Sequence, residues 1–368
     1  MTSHGSSRAV RPLRVSAAVA LVLSLLALTS GCVSDSDAGA AVAANGKTAP
    51  AKTLRLGFFA NITHAPALVG VRKGLLAREL GQTTLKTQVF NAGPAAIEAL
   101  NAGAIDAAYI GPGPAINAFV KSNGEALRIV SGVMSGGAQL VVKPGITEAA
   151  QLKGKNLASP QLGGTQDVAL RSWLTKNGLK NTPRGGGDVT ITPTENAQTL
   201  TLFQQGKLDG AWLPEPWASR LVLDAGAEVL VDEKSLWPEG KFVTTHVIVA
   251  TRFLAQHPQT VEALIRANLE SIDWIRANKA AAGAVVNDEI AEATGKPLSD
   301  PVVARAFANI SPTHDPLAVT LPTLLEHGVA AGLTKKASLK GVYDLRLLNK
   351  ALEQRKLPAV SAAGLGEE

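Results

Sequence analysis

Two segments of this chain, 103 residues apart, are written in one grammar, and that spacing limits the folds available to it. Residues 103–114 read GAIDAAYIGPGP and residues 206–217 read GKLDGAWLPEPW. In each, a glycine able to take a left-handed cap ends an amphipathic run. A short apolar stretch follows, suited to a strand covered on both faces. Prolines then stop the strand, because they cannot donate to a sheet. The offset also holds upstream, where Leu100 falls on Phe203 and Ile97 on Leu200. The corner after residue 60, with Asn61, Thr63 and His64, has its counterpart near Gly164, Thr165 and Asp167. A period this long is no solenoid repeat. It predicts two α/β lobes of similar build with a ligand between them, because ligands of open α/β sheets bind beyond the strands' carboxyl ends.

The chain before the first lobe has a different character. Arg8, Arg11 and Arg14 precede an apolar run over 15–28, too short to span a bilayer comfortably. Small residues and Cys32, the single cysteine of the chain, follow. A lone cysteine makes no internal disulfide, and the Gly31–Cys32 ending is similar to a bacterial lipoprotein signal, although Thr29 stands where that pattern prefers an aliphatic residue. The expectation is a signal over 1–31 and lipidation at Cys32. A membrane anchor and an extracytoplasmic location at the outer face of the cell membrane follow from that. Residues 32–52 hold little to bury and are expected to be a tether.

Of the net charge of +6, +3 belongs to the three signal arginines. The remainder is too weak to imply nucleic acid, and no basic cluster is interleaved with aromatics. Neither a metal cluster nor a phosphate loop is spelled out, and no cofactor is expected. The lobes are expected as 53–143 and 247–357 for the first and 144–246 for the second, with the break at Pro144 and Gly145. The apolar stretch 242–250 would return the chain to the first lobe, placing Thr245 and His246 beside the crevice. The helical pieces beyond residue 258 show no strand partners and are expected to wrap the first lobe, and 358–368 is expected to fray.

Asn61 or Thr63 could cap the helix after the first strand, and the uncapped amides there suit an anion. His64, Asn91, Gly111 and Pro112 sit at matching corners of the first lobe, and Gly136 lies over the crevice. In the second lobe Gly164, Thr165 and Gln166 open a helix after a glycine-rich loop, while Glu215 and Trp217 end a strand. Glu215 reads either as a contact to a ligand amine or as a hinge brace, and Trp217 as a crevice wall or a core plug. Asp167 and Arg171, four apart, read as a solvated ion pair.

The residues at 54–59 (LRLGFF), 63–66 (THAP), 206–211 (GKLDGA), 215–217 (EPW) and 249–254 (VATRFL) resemble the extracytoplasmic solute-binding proteins of ABC importers. The group it looks most like serves aliphatic sulfonates, taurine, nitrate and thiamine-precursor pyrimidines. The resemblance covers about residues 53–330. It implies a two-lobed periplasmic-binding-protein-like fold of type II, each lobe a mixed sheet flanked by helices, with the ligand in the interlobe cleft. It also implies a monomer delivering a small molecule to a permease and its ATPase subunits. An enzyme of this fold using His64 or His246 with Glu215 or Asp167, and a ligand sensor for a membrane receptor, are the other function classes this pattern allows.

Overall fold

The computed structural model describes residues 49–368. The signal at 1–31, Cys32 and most of the expected tether lie outside the described residues. The first sheet begins with β1 (Thr53–Phe59), α1 (Ala65–Arg72), α2 (Leu75–Leu80), β2 (Thr84–Phe90), α3 (Gly93–Asn101), β3 (Ala107–Ile110), α4 (Pro112–Lys121) and β4 (Leu127–Gly136). The second holds β5 (Ala138–Val142), β6 (Asn156–Ser159), α5 (Thr165–Lys176), β7 (Thr190–Pro193), α6 (Asn196–Gln204), β8 (Gly210–Pro214), α7 (Trp217–Ala225) and β9 (Glu228–Asp232). The chain then returns through β10 (Val243–Ala250), α8 (Thr251–Gln256), α9 (Pro258–Ala277), α10 (Lys279–Thr294) and α11 (Asp300–Ala308). It ends with β11 (Ile310–Pro312), α12 (Leu321–Ala330), β12 (Tyr343–Asp344), α13 (Arg346–Gln354) and β13 (Gly366–Glu367).

The two sheets repeat one order. Strands β2, β1, β3, β10 and β4 lie side by side in the first, and β7, β6, β8, β5 and β9 in the second. In each, the first three pair in parallel and the fourth is antiparallel to both neighbours. The offset of 103 maps α3 onto α6 residue for residue. Leu56 and Phe58 of β1 join the large core of the first sheet. The second sheet has a separate core on each face, with Trp212 on one and Ala211 and Leu213 on the other, as strand alternation requires.

The crossings differ from the sequence expectation. The chain enters the second sheet at Ala138, where β5 pairs with β8, and not at 144. It is back in the first sheet by Val243, so Val243–His246 do not close the second lobe. Gly136 and Gly137 both have left-handed φ, +76° and +79°, and let β4 turn directly into β5. Pro144 and Gly145 mark the far end of β5 instead. The C-terminal stretch also corrects the reading. Strands β11 and β12 pair with β4, and β13 pairs with β12, so the tail at 358–368 is built into the sheet. Two- and three-residue strands carry no periodicity, and only the open edge of β4 makes them pair.

Candidate functional site

A cavity of about 30 Å³ lies between the sheets, beyond the carboxyl ends of β1, β3, β6 and β8. The first lobe lines it with Phe59, Asn61, Thr63 and His64 after β1, then Asn91, Ala92 and Gly93 after β2. Gly111 and Pro114 follow β3, and Thr244 comes from β10. The second lobe contributes Pro160, Gly164, Thr165 and Gln166 around the start of α5, with Asn196 and Pro214. No Asp, Glu, Lys or Arg lines it among the described residues.

Its charge comes from backbone. Helices α1, α3, α4, α5 and α6 all start at this cavity, and none has a side-chain hydrogen bond at its N-cap. The sequence arranges this with Pro in the first turn of α1, α3 and α4 and with Ala or Gly at the caps of α3, α4 and α5. Of the two expected caps, Asn61 is used elsewhere, and Thr63 is held through its backbone. Asn61 Oδ1 accepts from Trp217 Nε1 at 2.9 Å, and the Thr63 carbonyl accepts from Thr245 Oγ1 at 3.0 Å. Each helix start carries the equivalent of roughly half a positive charge, and free amides accompany it at α3, α5 and α6. At α4 Pro112 and Pro114 have no amide and Gly113 donates to Thr165, and at α1 Ala65 donates to the Ile62 carbonyl ahead of Pro66.

His64 is buried, and burial pushes its imidazole down to about 3, so it is neutral at pH 7. Its Nδ1 accepts from the Phe59 amide at 3.3 Å, which leaves the proton on Nε2 as a donor. Its ring stacks on Phe59 with centroids 4.3 Å apart.

The lobes meet tightly here. Thr165 Oγ1 accepts from the Gly113 amide at 3.2 Å. A Cβ on Gly111 would lie 2.2 Å from Thr165 Oγ1 and 3.4 Å from the Thr244 carbonyl. The Gly111 backbone is extended, φ −72°, so it accepts any side chain by itself. Gly111→Val is therefore expected to fold and to hold the lobes apart. Small-angle scattering should show a larger radius of gyration than for the parent protein. An equal radius would mean that this contact does not limit the approach.

The NMT1-like family matches residues 47–288. The chain belongs to the NMT1-like family. A binding protein of Brucella abortus (strain 2308) is 26% identical over 193 residues, which is 52% of this chain and 57% of that protein. The match thus spans little more than half the length of that relative. A Bacillus subtilis (strain 168) protein named for binding aliphatic sulfonates is 23% identical over 91% of this chain and 96% of its own. Among solved structures, the alkanesulfonate-binding protein SsuA from Xanthomonas axonopodis pv. citri, bound to MOPS, shares the fold. Its TM-score is 0.64 and its identity 23%, covering 78% of this chain and 96% of that one. The fold is that of periplasmic binding proteins.

Not every residue singled out in this NMT1-like chain reaches the cavity. Asn61, Thr63, His64, Asn91, Gly111, Gly164, Thr165 and Gln166 do. Pro112 is buried at the first position of α4, and Pro114 lines the wall in its place. Gly136 belongs to the crossing, where a Cβ would lie 2.7 Å from the Asn309 carbonyl. Thr245 braces Thr63, while its neighbour Thr244 faces the cavity. His246 is in the core of the first lobe, its Nε2 3.0 Å from the Pro316 carbonyl, and burial pushes it down to about 4.

Glu215 also stands outside the cavity, fully buried. Its Oε1 accepts from Asn309 at 2.7 Å and from Arg305 at 3.2 Å, and its Oε2 from the Ser219 amide at 3.0 Å. Arg305 donates onward to Gln139 Oε1 at 2.8 Å. These bonds tie β8 and α7 to α11 across the crossing, the hinge-brace arrangement. Burial raises the Glu215 carboxyl above the usual range against the opposing pull of Asn309, Ser219 and Arg305. Trp217 is half-buried and lines a larger groove of about 640 Å³, with Arg220 4.9 Å above its ring. It is a wall of this groove between the lobes and packs against one core of the second sheet, without reaching the small cavity.

The acid–base pair weighed from the sequence is not assembled, since Glu215 is committed to α11 and Asp167 to Arg171. That second pair is not solvated either: both side chains are fully buried, Nε to Oδ2 at 3.0 Å. Asn196 was missed as a lining residue, although the offset places it on Gly93 of the matching corner. Arg305 and Asn309 carried no signal at all.

Proposed function

We propose that this protein is the extracytoplasmic solute-binding component of an ABC importer. It captures a small organic anion, an aliphatic sulfonate or a taurine-like compound, and hands it as a monomer to a permease and its ATPase. The observation that carries this reading is the convergence of five helix starts, those of α3, α5 and α6 with free amides, on one cavity that no carboxylate lines among the described residues. Such amides bind an oxyanion without a counter-cation. The Nε2 proton of His64 and the hydroxyls of Thr63 and Thr165 add neutral donors. The names of the relatives point the same way. The space holds about two waters, so capture requires the lobes to part and reclose.

Calorimetry with methanesulfonate, ethanesulfonate, taurine, nitrate and a thiamine-precursor pyrimidine tests it. Sulfonates are expected to bind, and Thr165→Ala to weaken them by about 1.5–3 kcal/mol, the range for a hydrogen bond to a charged group. Binding of the pyrimidine alone would overturn the anion reading.

The Gly31–Cys32 ending supports a lipid anchor as part of the same proposal. Fractionation of a bacterial host expressing the parent protein or Cys32→Ala decides it: the variant should leave the membrane fraction, and equal retention would sink the anchor.

A further inference from the structure

Asn196 opens α6 at the cavity and is 8% exposed. Its Oδ1 is buried and has no hydrogen-bond partner among the described residues. Of the other asparagines lining the cavity, Asn61 accepts from Trp217 through Oδ1, and Asn91 donates through Nδ2 to Glu195 Oε1 at 3.1 Å. A buried acceptor without a donor carries a free-energy penalty that folding has not relieved. The matching helix of the first lobe starts with Gly93, which has no side chain to satisfy. Asn196 lines both the small cavity and the larger groove beside it. A group extending from a head bound in the cavity toward the groove must therefore pass it.

We infer that Asn196 is a specificity-determining residue that pairs with a neutral hydroxyl on the bound anion, which makes the favoured ligands hydroxyl-bearing organosulfonates. This rests on the anion reading above and narrows it. A hydroxyl donates and accepts, so it satisfies either orientation of the amide. An ammonium at the same place would be desolvated among helix N-termini with no carboxylate in the cavity. The nearest candidate, Glu195, lines the groove, is exposed and already accepts from Asn91. A plain alkyl group would leave Asn196 unpaired, and sites built to hydrogen-bond a substrate group discriminate strongly against analogues that lack it.

The test compares 2-hydroxyethanesulfonate, ethanesulfonate and 2-aminoethanesulfonate by calorimetry on the full protein and on Asn196→Leu. The hydroxy compound should bind the parent protein at least about tenfold tighter than ethanesulfonate, and tighter than the amine. In Asn196→Leu the ratio of hydroxy to plain compound should fall to about one, whatever the variant does to the affinity for either. A ratio within about twofold in the parent protein overturns the inference and leaves the anion reading standing. So does tightest binding of the amine, or a preference that survives in the variant. The parent comparison needs no variant to fold. Binding of none of the three overturns both.

Discussion

Replacing Arg171 by Met is expected to lower the unfolding free energy by about 3–5 kcal/mol, the cost of leaving one partner of a buried ion pair alone. Asp167 and Arg171 are both fully buried. The substitution keeps much of the side-chain volume, so the loss reads on the charge and on the Nη1 bond to the Thr182 carbonyl, and not on packing. Asp167 would retain the Ser159 hydroxyl at 2.7 Å and the Gly163 amide at 3.0 Å, which do not neutralise it. The double variant Asp167→Asn with Arg171→Met should recover most of the loss, since no buried charge then remains. Urea denaturation of the three proteins measures this, and a single-variant loss below about 1 kcal/mol would show that the pair is not structural. Asp167 also holds the loop that leads into Gly164, Thr165 and Gln166. The single variant should therefore weaken ligand binding under conditions where it is still folded.

Stability is expected to fall by up to about 3 kcal/mol between pH 4.5 and pH 7 because of Glu233. Burial pushes its carboxyl up to about 7 from an ordinary value of 4.5, although Trp212 Nε1 donates to it at 2.8 Å. The unfolded chain gives up this proton near 4.5 and the folded chain holds it to about 7, so across that window the native state binds more protons. The stabilising contribution is therefore complete below 4.5 and gone above 7. Glu233→Gln keeps an acceptor for Trp212 and has nothing to titrate. Above pH 7 the variant should be the more stable protein, and the difference between the two melting curves should vanish toward pH 4. Parallel curves across the range would show that Glu233 does not drive the dependence.

Much of the architecture was legible because it rests on short-range rules repeated twice. The 103-residue offset found β3 and β8, matched α3 to α6, and placed a corner after β1 opposite a corner before α5. Those corners supply most of the cavity wall. The sequence was silent where the partner is far along the chain. Glu215 showed that it ends a strand, but whether it met ligand or hinge depended on Arg305 and Asn309, 90 and 94 residues later. The crossing was misplaced because Pro144 and Gly145 are a stronger local break than two glycines within an apolar run. Asp167 and Arg171 have the spacing of a surface pair, and only the packing of α5 against its sheet excludes water from them.

By itself the sequence determined the two lobes, their strand–helix corners and the prolines and small residues that leave helix starts uncapped. These follow from φ limits, missing amide donors and alternating burial, which act over a few residues. Tertiary structure alone decided that five such starts share one small cavity, that Glu215 and Thr245 brace rather than line it, and that Asn196 Oδ1 is left without a donor. Those outcomes depend on which side chains two sheets bring together, and close packing across the cleft sets that, not the propensity of any one segment.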